Sequence, residues 1–102
     1  MPEFPDLLPH GPIVEVMPDI FVVKGLIRIE AAETHEFSRN MTIVRDGETL
    51  ILANTIRLDD AGLAALDALG KVRHIVKLGA YHGRDDAFYL DRYDADLWAP
   101  DG

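Results

Sequence analysis

The 102-residue chain contains no cysteine. Disulfides, thiolate zinc sites and cysteine nucleophiles are therefore excluded, and any metal would have to be held by histidine and carboxylate side chains. Serine is almost as scarce. Ser38 is the only one, no nucleophile elbow surrounds it, and no Gly–Lys loop is present to cradle a phosphate. Positive charge is also short: 10 Lys and Arg against 18 Asp and Glu leave a net charge of −8. Such a surface repels phosphate backbones and anionic lipid, so neither nucleic acid nor membrane is expected as a partner. Nowhere do roughly 18 apolar residues run together, the minimum for a membrane span. The start, "MPEFPDLLPHGP", lacks the basic residues and unbroken apolar run of a signal peptide. With the missing cysteines, this points to the cytoplasm.

What is present suffices for one domain. Hydrophobic residues make up 48% of the chain, enough for a single small core and too many for a disordered segment. Residues 1–12 hold Pro2, Pro5, Pro9 and Pro12, which fix φ and remove donors, so an irregular arm is expected there. The remainder, 13–102, reads as a single domain. "IVEVM" and "IFVVKG" flank Pro18-Asp19 as a hairpin, and "LIRIE" continues the alternation. "AAETHEFSRN" (31–40) has no clean period and reads as a loop. Asp46-Gly47 sits between two alternating β-branched runs, the signature of a tight hairpin. Leu63, Leu66 and Leu69 then share a helical stripe, with Asp59 or Asp60 to cap its start and Gly70 to close it. "HIVKL" (74–78) is a strand, 85–93 a helix and "ADLWAP" (95–100) a last strand. Strands followed by helix–strand–helix–strand predict an α+β arrangement: a mixed, largely antiparallel sheet with helices on one face.

The densest chemistry lies in "KLGAYHGRDDAFYLDRY" (77–93). A Gly-containing turn between a strand end and a helix start is a favoured ligand position. His82, Asp85 and Asp86 would all sit on it, and His with Asp suits zinc, manganese or iron. Equally, Asp85 or Asp86 can serve as an ordinary helix N-cap, contributing about 1 kcal/mol. Both readings are open at this point.

"VEVMPDIFVVKG", "NMTIVRDGETLILAN", the Leu-rich helix, "VRHIVKLGAYHGRDD" and "ADLWAP" together resemble the N-terminal half of the metallo-β-lactamase fold. The resemblance covers about 13–100 and is to its divergent members. It implies half of an αββα sandwich and a mono- or dinuclear metal hydrolase with a His-x-His-x-Asp-His turn. Laid on this chain, that motif puts Ala80 at the first His, His82 at the second, Arg84 at the Asp and Asp85 at the last His, with Asp86 beside it. Only His82 matches. Arg84 places a fixed positive charge where the family has a carboxylate, and the family's remaining ligands come from a C-terminal half.

Two functions follow as expectations. One is a non-catalytic or catalytically degraded module whose bare sheet face is covered by a second copy, a homodimer or higher assembly. The other is a metal-dependent hydrolase whose site, built on His82, Asp85 and Asp86, is completed by a second chain or by a missing C-terminal half. Nothing in the residues selects a small-molecule substrate. His35, with Glu33 and Glu36, is the other acidic loop that could approach the turn. His74 reads as structural, His10 as part of the arm, and Tyr81, Phe88, Tyr89, Tyr93 and Trp98 as core or interface.

Overall fold

The computed structural model describes residues 7–30, 34–77 and 85–99. Among the described residues six strands form one sheet in chain order: β1 (Val14–Met17), β2 (Ile20–Glu30), β3 (Thr34–Asp46), β4 (Thr49–Ala53), β5 (Lys71–Val76) and β6 (Asp96–Trp98). The first four pair antiparallel as a meander, and β4–β5 and β5–β6 pair parallel. Parallel neighbours need crossovers, and these are α1 (Asp60–Leu69) and α2 (Asp86–Arg92).

Both predicted hairpins form. Met17 pairs with Ile20 around Pro18-Asp19, and Asp19 takes a φ of 64°. That left-handed residue is held from outside. The Arg45 N–H donates to the Asp19 carbonyl at 2.8 Å, and Arg45 Nε donates to Asp19 Oδ1 at 2.9 Å. In the second hairpin Asp46 pairs with Thr49, so the two turn residues are Gly47 and Glu48. Gly47 carries the positive φ, 63°, at the first turn position, where only glycine enters cheaply.

One segment departs from expectation. Thr34–Asn40 lies within β3, paired with β2 from Glu30↔Thr34 to Lys24↔Asn40. Its own sequence lacks alternation; the strand is templated by β2, since strand character depends on the partner more than on the backbone. Residues 31–33 lie outside the described residues.

Asp59 caps α1 as predicted, its Oδ1 accepting from the Gly62 N–H at 2.7 Å. Gly70 ends the helix with an extended φ. What glycine supplies here is room: a Cβ would sit 2.6 Å from the Glu48 carbonyl oxygen, the same oxygen that accepts from the Lys71 N–H at 2.7 Å.

Both helices lie on one face. Register aligns Phe21, Ile43, Leu52 and Ile75 in one row across the sheet. All four are buried, with Leu63 and Leu66 of α1 and Tyr89 of α2 in the same cluster. Leu69 packs against that cluster in part. The expected Leu stripe is thus the face α1 turns to the sheet. On the opposite sheet face runs the row Val14–Val22–Thr42–Ala53–Val76–Trp98, and no helix covers it among the described residues. Among those residues no helix is long and apolar enough to cross a membrane.

The described part of the proline-rich arm is tied down. The Gly11 N–H donates to the Lys24 carbonyl at 2.7 Å, and His10 bridges to Gly25. The His10 ring donates from Nδ1 to the Gly11 carbonyl at 2.8 Å and accepts at Nε2 from the Asp59 N–H at 2.8 Å. One imidazole thereby joins the arm to the start of α1.

Candidate functional site

β4 and β5 run parallel, so the loops that leave them emerge at the same end of the sheet. The loop after β4 carries Asn54, Thr55, Ile56 and Arg57; the segment after β5 leads into α2. Asn54 leaves its strand with a φ of 57°, a conformation asparagine tolerates better than most residues. Its N–H donates to the Val76 carbonyl at 3.0 Å, which holds the two strand ends together.

Three consecutive residues of the first loop are bonded to α2 and the residue before it. The Thr55 hydroxyl donates to Asp86 Oδ1 at 2.5 Å. The Ile56 carbonyl accepts from the Tyr89 hydroxyl at 2.6 Å. The Arg57 N–H donates to Asp85 Oδ2 at 2.8 Å, and the Arg57 guanidinium lies 4.6 Å from the centre of the Phe88 ring. A fourth element joins from β3, where Arg39 Nη2 donates to the same Asp85 Oδ2 at 2.9 Å.

Asp85 is 0% exposed and Asp86 is 6% exposed. A buried carboxylate is stable only when charge and donors meet it. Arg39 supplies the charge and the Arg57 amide a further donor. Burial also pushes the Tyr89 hydroxyl upward from its ordinary value, reinforced by the neighbouring Tyr93 and Asp85, so it stays a donor to Ile56.

The helix-cap reading of Asp85 is corrected by this geometry. Asp85 occupies the N-cap position of α2, but its side chain makes no capping bond. It points inward because a buried guanidinium and a strand-loop amide together outweigh one exposed helix-start N–H.

Of the three predicted ligands, Asp85 and Asp86 lie side by side and His82 lies outside the described residues. Among the described residues each carboxylate already accepts at one oxygen from a donor of the fold, and at Asp85 Oδ2 the position a cation would take is held by the Arg39 guanidinium. Among the described residues no three His, Asp or Glu side chains gather as a metal-holding group. Tyr81 and the side chains of Glu33, His35 and Glu36 fall outside what is described.

Sequence reasoning missed Arg39, Thr55 and the Arg57 amide. Arg39 lies 46 positions from Asp85, in the stretch read as a loop, and no local pattern links the two. It also missed the bond from Trp98 Nε1 to His74 Nδ1 at 3.1 Å.

No family model matches the sequence, and no curated protein does. Solved structures do match in shape. A DIM-1 metallo-β-lactamase exposed to ceftazidime superposes with a TM-score of 0.65 at 17% identity, over 92% of this chain and 44% of that one. The fold is metallo-β-lactamase-like. The FIM-1 metallo-β-lactamase of Pseudomonas aeruginosa, in a mono-zinc form, gives 0.62 at 18% identity over 93% and 43%. A metallo-β-lactamase from Hirschia baltica gives 0.60 at 19% over 89% and 44%. This chain therefore spans less than half the length of the metallo-β-lactamases it matches, and its six-stranded sheet with two helices corresponds to that part of them.

Proposed function

We propose that this chain is a metallo-β-lactamase-like module with an incomplete metal-ligand set, non-catalytic or catalytically degraded, which associates with itself. One observation carries the reading: the fully buried Asp85 carboxylate accepts from Arg39 and the Arg57 amide. The residue aligned with the family's last histidine thus serves the fold. Arg84, at the family's carboxylate position, would oppose a divalent cation nearby. Self-association is supported by the sheet face that no helix of the described residues covers, which carries exposed Val14, Val16 and Trp98 and needs a cover. A cysteine-free composition suits the cytoplasm, which we take as its compartment.

A second reading is a metal-dependent hydrolase whose site is completed by a second chain or a further segment. It is favoured by the likeness to a protein solved in a mono-zinc form and by His82 on the matching turn. Zinc, manganese or iron would be held by His82 with ligands from elsewhere, acting as a Lewis acid or on bound water.

Metal content of chelator-free protein, with hydrolysis of a chromogenic β-lactam and of a thioester, separates the two. The first reading expects metal well below one equivalent, no turnover after zinc is offered, and no change on His82→Ala. Stoichiometric metal that disappears in His82→Ala overturns it in favour of the second.

A further inference from the structure

The sheet face away from the helices repeats one pattern in two adjacent rows. The first is Val14–Val22–Thr42–Ala53–Val76–Trp98; the next is Met17–Ile20–Val44–Ile51–His74–Asp96. No charged side chain lies in the six positions of the first row. Its two ends are its most open points: Val14 is 50% and Trp98 57% exposed, and Val16 beside Val14 is 57% exposed. Trp98 is prepared for a dry contact, since its indole N–H is already bonded to His74 Nδ1 and demands no acceptor from outside. Charge borders these rows rather than entering their middle: Asp96 closes the second row at the β6 edge, Lys24 follows Val22 on the far side of the first, and Asp46 and Lys71 flank Thr49 in the row beyond the second.

Resting on the self-association reading above, we propose that this face binds a second copy of the chain through a two-fold axis lying along the strands between β3 and β4. Such a rotation exchanges the two sheet edges while keeping each row at its own height. Trp98 of one copy then meets Val14 and Val16 of the other, Val22 meets Val76, and Val44 meets Ile51. A two-fold interface must be self-complementary in this way, each residue meeting a partner that is met in return. The rim also complements itself. Asp46 and Lys71 fall on opposite sides of the axis in one row, so rotation brings the acid of each copy toward the base of the other. The sheets would pack about 10 Å apart in the aligned manner of β-sandwiches. Trp98, an exposed aromatic with a satisfied N–H, is the anchor.

The experiment is light scattering after size exclusion on wild type, Trp98→Lys, Val14→Lys and Leu97→Lys, with far-UV circular dichroism to confirm folding. Leu97 neighbours Trp98 on the same strand and is 47% exposed, but it lies in the helix-side row with Ile75. The proposal expects a wild-type dimer, dissociation strengthened at least about 30-fold by Trp98→Lys and by Val14→Lys, and a dimer retained by Leu97→Lys. A wild-type monomer overturns self-association itself. A wild-type dimer that survives both face substitutions leaves self-association standing and overturns this face. Dissociation by Leu97→Lys as readily as by Trp98→Lys also overturns it, in favour of contact through the β6 edge. Should Trp98→Lys fail to fold, Val14→Lys on the opposite edge decides.

Discussion

The two faces of the sheet are built from neighbouring residues and have opposite fates. Phe21 and Val22, Ile43 and Val44, Leu52 and Ala53, Ile75 and Val76 alternate along their strands. The first of each pair is buried under helices; the second is part-exposed on the bare side. Hydrophobicity alone does not distinguish the two rows well. The difference is the crossovers: after β4 and β5 the chain passes over the same face twice and leaves the other open. An antiparallel meander with one wet face normally alternates apolar with polar. A bare face carrying valine, isoleucine and tryptophan is instead the composition of a covered one.

That contrast can be broken first at the contact that holds α2 over the covered face. Asp85→Ala leaves the largely buried Arg39 without its carboxylate, and removing one partner of a buried pair costs about 3–5 kcal/mol. Urea unfolding should show that loss, together with earlier hydrogen exchange of the α2 amides. An effect below about 1 kcal/mol would mean that the pair is dispensable to the fold. A matched pair of truncations sharpens the contrast further. Leu52→Ala on the covered face should cost about 2–5 kcal/mol, whereas Val22→Ala on the bare face should cost under about 1 kcal/mol in the monomer. If Val22→Ala becomes far more costly as protein concentration rises, its cover is another copy, because association adds to stability by mass action.

Short-range chemistry made much of this fold legible. Pro18-Asp19 and Asp46-Gly47 announce hairpins because turn geometry is local, and Asp59 with the Leu63–Leu66 stripe announces α1 for the same reason. The first half of β3 was hidden because its strand is set by pairing with β2. At the candidate site, the sequence placed Asp85 and Asp86 together at a strand-to-helix junction, as found. It could not show the direction of the Asp85 carboxylate, which depends on Arg39 arriving from β3 and on an amide at Arg57. Both depend on chain trace, which leaves no mark on the residues themselves.

A pH-dependent effect tests the covered face from within. Tyr89 is fully buried, its hydroxyl donates to the Ile56 carbonyl, and burial raises its proton affinity above that of a free tyrosine. The sign follows from the folded state holding the proton more tightly. Below the unfolded value, near pH 10, both states keep the proton and the full contribution is present. As pH climbs beyond about 10 the unfolded chain ionises while Tyr89 does not, so stability falls by up to about 1.4 kcal/mol per pH unit. Urea midpoints at pH 9, 10 and 11 should decline along that course in the wild type. Tyr89→Phe should begin lower, because the Ile56 carbonyl loses its donor, by about 1–3 kcal/mol, and should then decline less steeply. Tyr93, also raised by burial and by its bond to Asp67, remains in that variant and accounts for a residual slope. Equal slopes in the two proteins would place the alkaline sensitivity outside the covered face.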